Sequence, residues 1–482
     1  MRTTTFIAAA VGLLSTCTDA IQLQRRTDGP AKVVGLDVVR KHVENPLARD
    51  KLRKIRRRSK TVTATLDNEE TLYFANGTLG TPAQKLRLHI DTGSSDLWVN
   101  SPSSTLCSSR GSPCKAAGTY SANSSSTYAF VSSDFNISYV DGSGASGDYV
   151  TDTFTIGGTT LDKLQFGIGY TSSSPEGILG IGYKINEVQV GRAGQSAYDN
   201  LPAQMVTDGL INSNAYSLWL NDLDASTGSI LFGGVDTARY HGQLETLPIQ
   251  KESGYFAEFL ITLTEVKLGE TVIATDQALA VLLDSGSSLT YLPDAMAEAI
   301  YQMVDAQYDS SEGAAYVPCS LASNTSALNF TFTSPTIQVT MDELVIPVTS
   351  TDGRQLSFTD GTAACLFGIA PAGDGTSVLG DTFIRSAYIV YDLANNEISL
   401  AQTNFNTTST NVVEITTGTT AVPDATLVSS AATASSGVTG GDISGTVTLS
   451  SGSKSKNAGA MQTPPPLAYG MAVLGAGLYY AL

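Results

Sequence analysis

The sequence predicts an all-β protein of two lobes with only a few short helices. Short runs of Val, Ile, Thr, Tyr and Phe lie between turns of Gly, Asn, Asp and Ser, a pattern typical of strands. The chain has 482 residues, enough for two hydrophobic cores. Two short motifs that each occur twice indicate that both lobes follow one plan.

The first repeated motif places an Asp on a Gly-containing turn directly after an apolar, strand-like run. It reads Asp91-Thr92-Gly93-Ser94 and, 193 residues later, Asp284-Ser285-Gly286-Ser287. One such turn is usually just a solvated turn, whereas two in matching contexts predict that each lobe contributes one Asp to a shared site. The second motif, Ile178-Leu179-Gly180 and Val378-Leu379-Gly380, follows those aspartates by 87 and 94 residues.

Charge is distributed unevenly along the chain. Residues 1–58 hold 13 of the 28 basic residues and 5 of the 45 acidic ones, which leaves 15 basic and 40 acidic residues in the remainder. So acidic a body would repel phosphates, and no nucleic-acid partner is expected. An acidic body suits a protein that works at low pH, where part of its charge is neutralised.

The N-terminal segments predict secretion and activation. Residues 1–20 resemble a secretory signal, with Arg2, an apolar core and a small residue, Ala20, at the end. Residues 21–58 are expected to be an activation propeptide that a protease for paired basic sites removes after Arg58. A basic segment across an acidic cleft would lose its attraction on acidification. The alternative is a disordered basic arm.

Residues 59–245 are expected to form the N-terminal lobe. They contain a predicted hairpin with its turn at Asn76–Gly77, a loop over 101–128, and a second hairpin over 135–156 with a Gly/Ser-rich tip. A polar surface loop is expected over 184–200, followed by a short helix from 201 to 210.

Residues 246–405 are expected to form the C-terminal lobe. Strands are predicted over 257–268, 279–284, 387–392 and 397–402. Leu292-Pro293-Asp294 predicts the start of a helix that runs to about Tyr308, because Pro and Asp favour the first helical turn.

The cysteine count predicts disulfides. Of five cysteines, Cys17 lies in the signal, and the other four allow three pairings. Their order favours two local bridges, Cys107–Cys114 and Cys319–Cys365, and four buried free thiols are the alternative in a chain that enters the secretory pathway.

The composition changes after Phe405. Residues 406–457 are dominated by Ser, Thr, Gly and Ala, which predicts an extended, O-glycosylated stalk. Residues 458–482 match a GPI-attachment signal that is removed, with Asn457 as the attachment site. The alternative is a transmembrane helix, for which a 16-residue apolar tail without a basic flank is short.

Six Asn-x-Ser/Thr sequences are candidate N-glycosylation sites. They begin at Asn76, Asn123, Asn136, Asn324, Asn329 and Asn406.

Two carboxyls at hydrogen-bonding distance supply what peptide hydrolysis needs. Like charges repel, so such a pair shares one proton. The charged member can take a proton from water while the protonated member donates to the substrate carbonyl, without a covalent intermediate. Asp91 and Asp284 are the candidates. Ser94 and Ser287 are placed to bond the carboxyls, and Thr92 and Ser285 to bond across the lobes.

The sequence contains few of the residues that other hydrolytic mechanisms need. Outside the propeptide only His89 and His241 remain for a Ser/His triad, and His89 lies inside an apolar strand where a structural role is expected. No Cys/His cluster or HExxH sequence supports zinc, so neither a metal nor another cofactor is expected. A glycosidase also uses two carboxyls, but it does not require twin Asp-Thr/Ser-Gly turns.

With these motifs, residues 65–405 resemble the pepsin-like aspartic peptidases, and more closely the fungal GPI-anchored yapsin-type and candidapepsin-like branch. The resemblance implies a bilobal pepsin-like acid protease fold, with two β-barrel-like lobes around a central cleft. It makes Asp91 and Asp284 the catalytic residues. Thr92, Gly93, Ser94, Ser285, Gly286 and Ser287 would support them. The second motif then corresponds to the apolar strands behind the catalytic turns.

The resemblance also makes the 135–156 hairpin a substrate-binding flap that includes Tyr139, Asp141, Gly142 and Ser143. Tyr139 would close over substrate and bond to Trp98. The family often has Gly after that Tyr, whereas this sequence has Val140. Asp141 could pair with a basic substrate side chain before the scissile bond, or it could be an ordinary solvated turn residue.

The sequence therefore predicts a secreted, GPI-anchored acid endopeptidase of the fungal cell surface that acts on proteins and peptides as a monomer. Its partners would be those substrates, the processing protease and the membrane that holds the anchor. The alternative is a catalytically inactive wall glycoprotein that uses the same fold as a binding module.

Overall fold

The computed structural model describes residues 23–24, 31–41, 72–139, 143–225, 227–348, 354–438 and 445–448. Several predicted sites lie outside these ranges: propeptide cleavage after Arg58, Asp141 and Gly142 of the flap, and the attachment site Asn457.

Short strands dominate the described residues. In the first half they are β1 Leu23–Gln24, β2 Val34–Lys41, β3 Leu72–Leu79, β4 Gln84–Asp91, β5 Leu97–Asn100, β6 Ala129–Ser138, β7 Gly144–Ile156, β8 Thr159–Ser172, β9 Gly177–Gly180, β10 Ala215–Trp219, β11 Thr227–Phe232, β12 Gly234–Asp236 and β13 Tyr240–Pro248. In the second half they are β14 Leu260–Leu263, β15 Glu265–Leu268, β16 Thr271–Thr275, β17 Leu279–Leu283, β18 Thr290–Leu292, β19 Gln307–Asp309, β20 Ala314–Pro318, β21 Ala327–Thr331, β22 Thr336–Thr340, β23 Val345–Pro347, β24 Ala364–Phe367, β25 Ile369–Pro371, β26 Ser377–Leu379, β27 Ala387–Asp392, β28 Glu397–Thr403, β29 Val412–Glu414, β30 Ala425–Leu427 and β31 Thr446–Val447.

The helices of the described residues are short. They are α1 Val188–Ala193, α2 Leu201–Thr207, α3 Asp294–Val304, α4 Met341–Leu344 and α5 Asp381–Ile384. Helix α3 begins as predicted, with Pro293 before it and Asp294 in its first turn. It ends at Val304 rather than near Tyr308, because Asp305 adopts a left-handed conformation that stops the helix.

One sheet runs through both halves of the chain. Its fourteen strands lie in the order β30-β13-β28-β27-β10-β11-β2-β3-β4-β9-β5-β8-β7-β6. The second half adds the sheets β14-β17-β26-β18-β25, β22-β21-β15-β16-β31 and β19-β20-β24-β23. The predicted all-β class with few short helices is confirmed. Strand β13 crosses the predicted lobe boundary at 245/246 and pairs with β28, so that boundary falls inside the shared sheet.

The main hydrophobic core joins the strands that carry the two aspartates. Leu88 and Ile90 of β4 and Val281 and Leu283 of β17 all belong to it. The end of β4, residues 88–91, and the whole of β17 are buried. The core therefore holds the ends of β4 and β17 against each other, which brings their turns together.

The predicted turn at Asn76–Gly77 is wrong. Strand β3 continues through both residues, which pair with Arg87 and Leu86 of β4, and the chain turns at residues 80–83. Gly77 also pairs with Ile156 of β7. Strand partners on both sides outweigh the local preference of an Asn-Gly pair for a turn.

The segment 184–200 is not a surface loop. It contains helix α1 and buries Glu187, Gln189 and Asn200. The Asn200 side-chain amide donates to the carbonyl of Gly182 at 2.9 Å. Buried polar side chains need hydrogen-bond partners, and Glu187 and Gln189 find theirs in the Tyr198 N–H and the Gln165 side chain.

Part of the predicted propeptide is a strand of the central sheet rather than a disordered arm. Strand β2 pairs with β11 on one side and with β3 on the other. Val34, Leu36 and Val38 alternate along it and are buried. The basic run 51–58 lies outside the described residues.

The predicted stalk is wrong for its first part, which folds onto the body. Strand β29 pairs with β12 and with β1, and β30 pairs with β13. Ile415 and Ala421 are buried in a cluster with Trp219 and Tyr388. Strand edges of the body supply backbone partners, and most of the large apolar residues of this segment are buried, with Leu427 as an exposed exception. We call residues 406–438 the C-terminal strap.

Candidate active site

Asp91 and Asp284 lie together at the ends of β4 and β17. A Cβ atom on Gly93 would lie 2.6 Å from Oδ1 of Asp284, and one on Gly286 would lie 2.6 Å from Oδ1 of Asp91. Only glycine allows each carboxyl to approach the opposite turn this closely. The side chains keep little contact with solvent, at 4% and 9% exposure.

Each carboxyl is held by the same two hydrogen bonds. The Gly93 N–H donates to Oδ1 of Asp91 at 2.9 Å, and the Ser94 hydroxyl donates to Oδ2 at 2.6 Å. In the second turn the Gly286 N–H and the Ser287 hydroxyl do the same for Asp284, at 2.8 and 2.6 Å. The two turns are thus related by an approximate twofold axis, and their carboxyls are fixed before substrate arrives.

Thr92 and Ser285 bond across the two turns. The Thr92 hydroxyl donates to the carbonyl of Leu283 at 3.0 Å, and the Ser285 hydroxyl donates to the carbonyl of Ile90 at 3.1 Å. Each hydroxyl also accepts the backbone N–H of the other residue, at 3.0 and 3.2 Å. This reciprocal arrangement sets the separation of the two carboxyls.

The predicted flap is a hairpin of β6 and β7. Trp98 Nε1 donates to the Tyr139 hydroxyl at 2.7 Å, as expected. The Tyr139 N–H donates to the carbonyl of Ser143 at 2.8 Å and closes the hairpin. Burial, followed by the negative charge of Asp91, raises the pKa of Tyr139 well above its usual range. Its hydroxyl therefore stays protonated beside Asp91.

Sequence reasoning missed a second buried network behind the first turn. Oδ1 of Asp96 accepts the hydroxyls of Tyr149 at 2.6 Å and Tyr198 at 2.9 Å, and Oδ2 accepts the Val188 N–H at 2.9 Å. Asp96 thereby connects the turn, flap strand β7 and the 184–200 segment. Its place in the motif, five residues after Asp91, was the available signal.

Glu187 belongs to the same network and is 1% exposed. Its Oε2 accepts the Tyr198 N–H at 2.9 Å. Burial raises its pKa to about 9, and the charges of Asp96 and Asp199 act in the same direction against the opposing charge of Lys184. The folded protein therefore keeps a proton on Glu187 that the unfolded chain loses at a much lower pH.

We expect Glu187→Gln to become progressively more stable than the unchanged protein as pH rises. The pKa is raised on folding, so the contribution of Glu187 is complete below its ordinary value of 4.5 and declines towards about 9. The free energy of unfolding of the unchanged protein then falls by at most about 1.4 kcal/mol per pH unit. Glu187→Gln removes this dependence because the new side chain does not ionise. Thermal unfolding from about pH 4 to about pH 8 measures it, with exposed Glu298→Gln as the control. Parallel curves for all three proteins would contradict it.

The remaining predicted sites are distributed over the body. Both predicted disulfides, Cys107–Cys114 and Cys319–Cys365, are present. Of the candidate glycosylation residues, Asn76, Asn123, Asn136, Asn324 and Asn406 are exposed. Asn329 is half-buried, and its amide donates to the carbonyl of Gly269 at 3.1 Å.

His89 and the possible metal ligands concern two of the three competing chemistries. His89 is buried, and its ring packs 5.6 Å from that of Phe74. In the described ranges no group of three or more His, Cys, Asp or Glu side chains is arranged to hold a metal ion. The same ranges contain no helix long and apolar enough to cross a membrane.

Comparison with known proteins gives consistent similarities. The model of the eukaryotic aspartyl protease family matches residues 72–403. The chain is 56% identical over 485 residues to the probable aspartic-type endopeptidase opsB of Aspergillus oryzae, with 97% of each chain covered. It is 37% identical over 420 residues to candidapepsin-3 of Candida albicans, covering 85% of this chain and 98% of that protein.

A solved structure shows the same fold. The aspartic proteinase from Irpex lacteus superimposes with a TM-score of 0.58 at 22% identity, covering 79% of this chain and 99% of that one. The predicted bilobal pepsin-like fold is confirmed. The family match begins at the first residue of β3 and ends at the last residue of β28, so the C-terminal strap lies beyond it.

Proposed function

Because this chain belongs to the eukaryotic aspartyl protease family and is an aspartic-type endopeptidase, we propose that Asp91 and Asp284 are its catalytic pair. The observation that carries the proposal is the reciprocal packing of each carboxyl against the other turn, with both Oδ1 atoms facing inwards. Two carboxyls this close share one proton.

In this mechanism the two carboxyls have different roles, because only one of them carries the shared proton. The ionised carboxyl takes a proton from a water as that water attacks the peptide carbonyl, and the protonated carboxyl donates to the carbonyl oxygen. The tetrahedral diol then collapses as a proton returns to the leaving amine. Ser94 and Ser287 hold the outer oxygens, so neither carboxyl must reorient during the reaction.

The test is pepstatin-sensitive cleavage of a denatured protein at about pH 4 by the processed protein. Cleavage that pepstatin abolishes supports the proposal. Correctly processed protein that binds the same substrate without cleaving it would instead favour an inactive binding module.

The flap supports a proposal about specificity. Tyr139 lies where the charge of Asp91 reaches it, and residues 140–142, which follow it, lie outside the described residues. We propose that Asp141 at this tip pairs with a basic side chain just before the scissile bond, with Gly142 and Ser143 shaping the tip.

We expect Asp141→Ala to lose this preference selectively. The Lys-to-Leu ratio of kcat/KM before the scissile bond should fall by roughly tenfold, because the substrate ammonium loses a charged hydrogen-bond partner. Peptide pairs that differ only at this position measure the ratio, with Asp148→Ala on strand β7 as the control. An unchanged ratio in Asp141→Ala would contradict the proposal that Asp141 determines the preference for a basic residue.

We also propose that the enzyme is secreted, activated by removal of residues 1–58, N-glycosylated and attached at Asn457 to a GPI anchor at the cell surface. The sequence segments support this, and one of the relatives, 37% identical, is named secreted aspartic protease 3. Mass spectrometry of both ends of the purified cell-surface protein tests it. A chain that begins at residue 59 and ends in a glycolipid on Asn457 is expected. An unmodified C-terminus would contradict the anchor.

A further inference from the structure

The C-terminal strap reaches the strand that leads to the second Asp turn. The Ser435 N–H donates to the carbonyl of Ala278 at 2.8 Å, and the Ala280 N–H donates to the carbonyl of Ser436 at 2.9 Å. Ser436 also forms a parallel bridge with the first residue of β17. The last part of the strap is therefore a backbone partner of β17 itself.

Strand β17 has two successive neighbours along this edge. Near its C-terminal end it pairs in parallel with β26, and the Asp284 N–H donates to the carbonyl of Leu379 at 3.2 Å. Alternate backbone N–H groups of a strand point to the same side, so the N–H groups of Ala280 and Asp284 point to one edge. Strand β26 begins opposite Val281. Before that residue, the strap takes the place of β26.

The contact between the strap and β17 is tight. Gly437 is buried and has a φ of +82°. A Cβ atom there would lie 2.6 Å from Cδ1 of Leu279 and 2.9 Å from the carbonyl oxygen of Ala280. That oxygen belongs to the backbone of β17 and cannot rotate away as a side chain can. A larger residue at 437 would therefore push against the strand that ends at Asp284.

The strap is held in place on both sides of this contact. The Ala432 N–H donates to the hydroxyl of Thr333 at 3.0 Å, and the Ala434 N–H donates to Oε1 of Gln250 at 3.1 Å. Earlier in the strap β30 pairs with β13, and beyond it β31 pairs with β16. These attachments make the carbonyl of Ser436 a fixed acceptor for β17.

We propose that residues 435–437 of the strap are positioning residues for the reaction, which set the place of Asp284 relative to Asp91 through their backbone contacts with β17. The proposal rests on the proposed function of the catalytic pair. A displacement of about 1 Å in a reacting group can lower the rate by about 10²-fold. This part of the strap thus acts on the chemical step, whereas its buried aliphatic residues act on the stability of the fold.

The first test is Gly437→Ala in the full processed enzyme. The added Cβ should displace β17, so we expect kcat to fall roughly tenfold or more. KM should change by less than about twofold, because the lost positioning matters mainly in the transition state. Gly418→Ala is the matched control and should keep the original kcat. Gly418 is a strap residue that also has a positive φ, +102°, but nothing lies within 4 Å of a Cβ there.

The pH profile of kcat separates positioning from a loss of stability. The two ionisations of the catalytic pair are kept apart by the repulsion between the carboxyls, which depends on their distance. A displaced Asp284 should therefore change the width of the profile in Gly437→Ala. Partial unfolding would lower the active fraction and leave the width as it was. Gly418→Ala should show the original width.

Ser435→Pro is a second test that adds no bulk at residue 437. Proline has no N–H, so the bond to the carbonyl of Ala278 is lost and kcat should fall in the same way. Thr433→Pro is its control, at an exposed residue whose N–H has no partner within the described ranges. Thermal unfolding shows which variants are folded.

The outcomes separate this proposal from the proposed function. If either Gly437→Ala or Ser435→Pro folds and keeps the original kcat and profile width, the positioning role is wrong although the catalytic pair stands. If Asp284→Asn remains fully active, the proposed function itself fails.

Discussion

Asp284→Asn is expected to lower kcat/KM by roughly 10³-fold or more while leaving the fold intact. Asn has nearly the same shape: its oxygen can still accept the Gly286 N–H, and its amide nitrogen can donate to the Ser287 hydroxyl, which then becomes the acceptor. It cannot hold the shared proton or take one from water, which removes general acid–base catalysis. Cleavage of a peptide at about pH 4 measures the loss, and pepstatin binding reports that the cleft is still formed.

Asp276→Asn is the matched control for this change. It makes the same substitution in the same half of the chain, but Asp276 is an exposed residue that follows β16. The control should keep full activity. An Asp284→Asn enzyme with more than a tenth of the original kcat/KM would contradict the assignment of this residue.

The second large effect concerns the C-terminal strap. A chain that ends at Phe405 is expected not to fold, whereas one that ends at residue 448 should fold and cleave normally. The strap buries the aliphatic side chains of Val412, Val413, Ile415, Val422 and Val428. At about 1.5–3 kcal/mol each they contribute roughly 10 kcal/mol, which is comparable to the total stability of a domain. Secretion yield and thermal unfolding of the two truncated chains measure the difference.

A graded version uses point variants of the complete chain. Ile415→Ala should lower stability by about 2–5 kcal/mol, because Ile415 is fully buried against Trp219 and Tyr388. Leu427→Ala in the same strap is the control, since Leu427 is 64% exposed and should change stability by less than about 0.5 kcal/mol. Equal melting temperatures for the two variants, or a stable chain that ends at Phe405, would contradict this prediction. The strap would then behave as a stalk that does not stabilise the fold.

The sequence predicted the parts of this molecule that local chemistry determines. The twin Asp turns and their Gly and Ser partners are encoded in short motifs whose residues contact one another or a matching copy, whereas the Trp98–Tyr139 bond followed from the family resemblance. The all-β class and both disulfides also followed from pattern and count. These features depend little on how distant segments pack.

The parts that could not be predicted depend on tertiary partners. Asn76–Gly77 has the composition of a turn but gains strand neighbours on both sides. The strap is rich in Ser and Thr, which is typical of a stalk. Its apolar residues indicate a strand only once it is known that β12 offers an edge with which β29 pairs. Glu187 lies in an ordinary polar stretch, and its environment depends on Asp96, which is far away in sequence.

The most direct test of the account is the pH dependence of kcat/KM on a peptide without ionisable side chains. A shared proton between Asp91 and Asp284 predicts a bell-shaped pH profile in the acid range. The value of kcat/KM rises as one carboxyl ionises and falls as the second does. Asp284→Asn should abolish the bell together with the activity. A rate that instead climbs steadily through about pH 7 would contradict the shared-proton pair, because a histidine-type base would then perform the reaction.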